Sequence, residues 1–226
     1  MTKNLKATIT AVLVAAATLA LLLFLGRPDS PAPVDRAAPA DGAVDTSVPP
    51  DLLVRDDSHR LSTAPDGRVT FVEFLDFECE ACRAAYPAVE QLRSEYADRV
   101  TFVARYFPIA SHFNAENAAV AVEAAAQQGQ FEQMYQRMFE TQTSWGEQQV
   151  SQAPLFRQFA GDLGLDMAAY DRAVADPATL ERVRSDQRDG QAAGVQGTPT
   201  FFLNGERLEP RSVDDLRAAL DTALAQ

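Results

Sequence analysis

Two short apolar runs with a single helical pattern between them constrain this chain most. Residues 68–75 read Arg-Val-Thr-Phe-Val-Glu-Phe-Leu and residues 100–106 read Val-Thr-Phe-Val-Ala-Arg-Tyr. Both are rich in β-branched and aromatic residues, which suit a pleated surface. Both are nearly continuous in their hydrophobicity, as strands covered on two faces are. Between them, from about Cys79 to Asp98, Ala85, Val89, Leu92 and Tyr96 recur at helical spacing. A strand, a helix and a second strand in that order predict a parallel pair joined by a right-handed crossover. Pro87 inside the helix removes an amide donor and predicts a kink.

The rest of the chain extends the pattern. Ala115–Gln128 is alanine-rich, and Phe131–Thr141 carries Phe131, Met134, Tyr135, Met138 and Phe139 three and four residues apart. Such a stripe predicts a core-facing helix. Ser151–Asp162, Asp166–Ala175 and Pro177–Ala193 predict further helices, with Asp166 and Asp176 as caps. Thr200–Leu203 and Glu206–Leu208 flank Asn204-Gly205, a strong hairpin signal. Ser212–Leu224 closes as a helix capped by Ser212. The predicted order is β-α-β, a long helical block, then β-β-α.

The N-terminal part has a different character. Lys3 and Lys6 precede an uncharged run of 19 residues, Ala7–Leu25. As a helix that run spans about 28 Å, close to a bilayer core. The lysines favour the cytoplasmic side, so the chain beyond Leu25 is expected outside the cytoplasm. The apolar stretch exceeds a signal-peptide core, and Gly26-Arg27-Pro28 is a poor cleavage site. Residues 1–26 are therefore read as an uncleaved signal anchor at the cell membrane, with secretion after cleavage as the alternative. Residues 27–51 hold six of the 13 prolines among Ala, Asp and Ser. They are expected to be an extended linker. The folded domain is then 52–226, with a helical insertion at about 111–193. A net charge of −12 argues against nucleic acid, which needs clustered Lys and Arg.

The chain has only two cysteines, Cys79 and Cys82, at the predicted strand-to-helix junction. At a helix N-terminus, unpaired amides and the macrodipole favour an anion, so Cys79 is expected to have a lowered pKa and to be the nucleophile. Cys82 lies one turn on, on the same face, within reach to close a reversible disulfide. A zinc site would need a second ligand pair, and His59 and His112 lack the spacing for one. No metal or other cofactor is expected. A structural disulfide over two residues would stabilise little. The expected chemistry is thiol-disulfide exchange.

Three segments carry a family resemblance. Val72–Cys82 resembles the active-site strand and helix start of the DsbA-like thiol-disulfide oxidoreductases of the thioredoxin superfamily. Arg105-Tyr106-Phe107-Pro108-Ile109, with His112 and the alanine-rich helix after it, is similar to the same family's segment after the second strand. Gly194–Gly205, containing Gly197-Thr198-Pro199-Thr200, resembles its signature after the helical block. The resemblance covers about Val69–Leu224.

It implies an α/β thioredoxin fold, a mixed central sheet flanked by helices, with a helical insertion. It implies that Cys79 is the exposed nucleophile, Cys82 the buried resolving thiol, and Pro199 a cis-proline facing them. Thr198 and Pro199 would then receive an extended substrate segment. Glu73 matches a buried acid that assists proton transfer; alternation with Val72 and Phe74 fits an outward-facing strand residue equally well. The strongest oxidants of the family place a histidine between the cysteines, whereas this chain has Glu80 and Ala81. A carboxylate at position 80 is expected to raise the Cys79 pKa and weaken the disulfide as an oxidant, so Glu80 and Ala81 are read as tuning residues. The implied activity is to form or exchange disulfides in exported proteins, with a membrane redox partner. A reductase or isomerase, or a non-catalytic binding module on the same fold, are the alternatives. His112 and Trp145 are assigned no role.

Overall fold

The apolar runs become the two central strands of a mixed sheet. The structure, a computed structural model, describes residues 48–226. The expected anchor and most of the expected linker lie outside the described residues. Among the described residues no helix is long and apolar enough to cross a membrane.

The elements are α1 (Pro50–Leu53), β1 (His59–Ser62), β2 (Thr70–Leu75), α2 (Glu80–Tyr96), β3 (Thr101–Tyr106), α3 (Ala115–Ala126), α4 (Phe131–Thr141), a 3-10 turn (Gln142–Ser144), α5 (Ala153–Asp162), α6 (Met167–Ala175), α7 (Pro177–Ala192), β4 (Thr200–Leu203), β5 (Glu206–Leu208) and α8 (Val213–Leu224). The sheet order is β1-β3-β2-β4-β5. β2 and β3 are parallel, with α2 as their crossover, and the other pairs are antiparallel. β3 is buried throughout and β2 at every residue but Thr70. The two faces of the sheet are separate cores. Phe71, Leu75, Phe102, Ala104 and Tyr106 join the larger one with α2, α3 and α4. Val72, Phe74, Val103 and Phe202 join the smaller one with Leu53, Phe107 and Val195. Each fully buried phenylalanine stabilises the fold by about 1.5–3 kcal/mol.

Two sequence expectations are corrected. The strand β1 is an addition to the expected order. Of its four residues only Leu61 is buried, so it shows no apolar run; it forms because the edge of β3 offers it unpaired backbone. The ordered fold also begins before Leu52. Val48 N–H donates to Gly205 O at 2.9 Å, and α1 packs Leu53 into the smaller core. The element order accordingly opens with an additional helix and strand. Pro87 lies inside α2, which runs from Glu80 to Tyr96.

Two glycines have positional reasons. Asn204 and Gly205 both have positive φ, 50° and 93°, as the tight hairpin turn requires. Gly190 in α7 sits against the sheet, where a Cβ would lie 2.8 Å from Phe107 and 2.9 Å from Phe74.

Candidate active site

The end of β2 delivers the chain into a loop, Asp76–Glu78, whose polar groups are turned inward. Asp76 is 2% and Glu78 1% exposed. A buried carboxylate needs hydrogen bonds, and both have them. Asp76 Oδ1 accepts from Glu78 N–H at 2.8 Å; its Oδ2 accepts from Ile109 N–H at 2.9 Å and lies 2.7 Å from His112 Nδ1. Glu78 accepts from the amides of Asn114 and Glu147 at 2.5 and 3.0 Å. Gln142 Nε2 donates to the carbonyls of Phe77 and Cys79 at 2.7 and 2.9 Å. The helical block therefore fixes the loop that precedes the cysteines.

Cys79 is the N-cap of α2 and Cys82 lies in its first turn, both as free thiols. Cys79 is 7% exposed and Cys82 0%. Cys79 Sγ donates to the carbonyl of Thr198 at 3.3 Å, across the site, and the Thr198–Pro199 peptide is cis. Cys82 Sγ accepts from Asp76 N–H at 3.5 Å. The Thr198 hydroxyl is buried and has no hydrogen-bond partner among the described residues.

The two thiols are driven apart. The Cys79 thiol is pulled down to about 6. Its hydrogen bond with Cys82 is the main cause; partial burial opposes it, and the Thr198 side chain and the Cys82 and Ala81 amides add to it. Burial pushes Cys82 far in the other direction, helped by its bond to Cys79 and by the charge of Glu73. Glu73 is 4% exposed and faces the larger core beside Cys82, so the outward-facing alternative is overturned. Burial, with Glu90 and Cys79 adding, raises its carboxyl to about 8, and no cation pairs with it among the described residues.

The expectation that Glu80 lifts Cys79 is corrected. The Cys79 thiol lies below its ordinary value rather than above it, and Glu80 is exposed, with its carboxyl lowered by its neighbour Glu147. Water screens its charge from the sulfur, and Ala81 acts through its amide. Trp145 is fully buried and packs edge-on to Phe156 at 4.8 Å. The residues that sequence reasoning missed are Asp76, Glu78, Asn114, Gln142 and the contact of His112 with Asp76. The only available signal was two acids, Asp76 and Glu78, embedded in the run that leads to Cys79. Among the described residues no three His, Cys, Asp or Glu side chains are set to hold a metal ion.

Known proteins share this frame. Residues 59–222 match the family model described as thioredoxin. A thioredoxin-like oxidoreductase of Silicibacter pomeroyi superposes with a TM-score of 0.67 at 26% identity, over 79% of this chain and 99% of that one. Wolbachia pipientis alpha-DsbA1 gives 0.68 at 17% identity over 77% and 94%. Oxidised BdbD of Bacillus subtilis gives 0.66 at 19% identity over 75% and 94%. Among curated sequences, the Na(+)/H(+) antiporter NhaA 3 of Salinispora tropica is 35% identical over 188 residues, 82% of this chain and 27% of that protein. NhaA 1 of Mycobacterium sp. strain KMS is 35% identical over 63% of this chain and 23% of its own length. The chain thus spans about a quarter of the length of the curated relatives it matches. With the family model matching residues 59–222, the chain belongs to the thioredoxin family.

Proposed function

We propose that this chain is a thiol-disulfide oxidoreductase that works outside the cytoplasm, held at the membrane by its N-terminal apolar run, and forms or exchanges disulfides in exported proteins through Cys79 and Cys82. The observation that carries this reading is the split between the thiols: one lowered to about 6 at a helix N-terminus, the other buried and raised. A thiolate at Cys79 is a good leaving group and nucleophile at neutral pH. A thiol at Cys82 waits protected beneath it.

In the oxidising direction a substrate thiolate attacks Cys79 Sγ of the Cys79–Cys82 disulfide. A substrate–Cys79 bond forms, the bond to Cys82 breaks, and Cys82 leaves as a thiolate. Burial makes that thiolate costly, and Glu73, still protonated at pH 7, is the acid placed to neutralise it. A second substrate thiolate then attacks the substrate sulfur of the mixed disulfide, and Cys79 departs as a thiolate. The substrate loses two electrons and the cysteine pair gains them. A membrane partner that accepts two electrons must restore the disulfide. Thr198 and Pro199, opposite Cys79, are the surface on which an extended substrate segment would lie.

A stabilised Cys79 thiolate favours the reduced pair and so makes the disulfide the stronger oxidant. Equilibration of the pair with glutathione tests the direction. A potential toward about −120 mV supports disulfide formation, and one near about −270 mV shows a reductase instead. If Cys79→Ser left function in cells intact, a non-catalytic binding module would replace both readings.

A further inference from the structure

Asp76 connects both thiols to a histidine from elsewhere in the chain. Its carbonyl accepts from Cys79 N–H at 3.2 Å and its amide donates to Cys82 Sγ at 3.5 Å. Its carboxylate is fully buried and bonds the His112 ring at 2.7 Å, with the ring itself 25% exposed. His112 lies beyond β3 and is 36 residues from Asp76. The residues between the cysteines, Glu80 and Ala81, bring no positive charge.

We propose that Asp76 and His112 form a charge-positioning pair in which buried Asp76 holds the His112 ring beside the Cys79 end of the site and the ring's positive charge favours the Cys79 thiolate. The inference rests on the reading of Cys79 as the nucleophile. His112 is a positioning residue here; it sets the charge at Cys79 without exchanging atoms with a substrate.

The surroundings favour a charged ring. Asp76 and Glu78 face it from the loop, Cys79 and Glu80 from the start of α2, and Glu147 from the loop before α5. Glu116 of α3 and Arg184 of α7 line the same groove, but they pair with each other at 2.6 Å. Partial burial opposes the charge on His112; the Asp76 hydrogen bond and charge outweigh it, with Cys79 and Glu78 adding, so the net shift is upward. Cys79 ionises at about 6. Thiolate and imidazolium therefore coexist from about pH 6 up to the raised midpoint of His112.

The test uses the reduced full chain. Iodoacetamide trapping of Cys79 is measured against pH for the wild type and for His112→Gln, a change at a partly exposed position. Losing the neighbouring charge should slow trapping at pH 6 about threefold to tenfold, with the two rates converging at pH 9, where Cys79 is ionised in both. Coupling is reciprocal. The His112 ring, monitored by NMR as one of only two histidines, should therefore lose proton affinity in Cys79→Ser by the same factor. A packing role for His112 would not produce that reciprocity. Superimposable trapping curves, or an unmoved His112 midpoint in Cys79→Ser, would overturn the pair while leaving the nucleophile in place. If wild-type Cys79 stays unreactive below pH 8, both the pair and the nucleophile reading fall.

Discussion

Two buried charge sites lie on opposite faces of the same strands, and they obey opposite rules. On the smaller-core face, Arg105 is 0% exposed, and its guanidinium meets Asp186 at 2.8 Å and Asp189 at 2.6 Å. Its Nη1 also donates to the Leu53 carbonyl at 2.6 Å. Arg182 and Arg55 reach the same two acids from the rim. Every charge there has a partner, and the network joins α1, β3 and α7. On the larger-core face, Glu73 is buried with no cation among the described residues, next to a thiol that burial also keeps protonated. A paired cluster fastens elements together. An unpaired acid costs stability and retains a proton that it can give away.

The largest expected effect comes from breaking the paired side. Asp186→Ala leaves Arg105 and Arg182 short of a partner and removes the acceptor of Tyr106 N–H. Removing one member of a buried pair costs about 3–5 kcal/mol, measurable by urea unfolding. Gly190→Ala probes the same face through packing: its Cβ would overlap Phe74 and Phe107, and overpacking costs about 1–3 kcal/mol.

The unpaired side should respond with the opposite sign. Folding raises the Glu73 carboxyl from 4.5 to about 8. The folded chain then binds that proton more tightly than the unfolded one, so stability falls as pH rises through that window. Glu73→Gln should match the wild type near pH 4 and exceed it by about 4 kcal/mol at pH 8. If Glu73→Gln is destabilised equally at both pH values, Glu73 is not the unpaired acid. Exchange by this variant should slow at the step in which Cys82 leaves.

Much of this contrast was legible in the sequence, and the failures have physical causes. The strands, the helical block, the hairpin and the cysteine pair each have a local period or spacing, so they could be read directly. The direction in which Glu73 faces could not. On a strand buried on both sides, Val72, Glu73 and Phe74 are all covered, and alternation ceases to separate core from solvent. The strand β1 was invisible because an edge strand with one buried residue has no apolar run. Asp76 and His112, and Arg105 and Asp189, meet across 36 and 84 residues. No local pattern announces such pairs. Glu80 misleads because a neighbour in sequence need not be a neighbour in space, and its carboxyl lies exposed to solvent.

The smallest expected effect refines the active-site half. The Thr198 hydroxyl, without a hydrogen-bond partner among the described residues, is a donor available to the Cys79 thiolate. Thr198→Val removes it, and one hydrogen bond of about 0.5–1.5 kcal/mol should raise the Cys79 midpoint by roughly half a unit to one unit. Thiolate absorbance against pH reads that shift.

The most direct test of the split between the two thiols is site-resolved alkylation. The reduced full chain is treated with a limiting alkylating reagent across pH, and each cysteine is quantified by mass spectrometry. The expected result is modification of Cys79 along a titration centred near pH 6, with Cys82 untouched until well above pH 9. Equal modification of both cysteines, or a Cys79 titration no lower than that of an ordinary thiol, would contradict it.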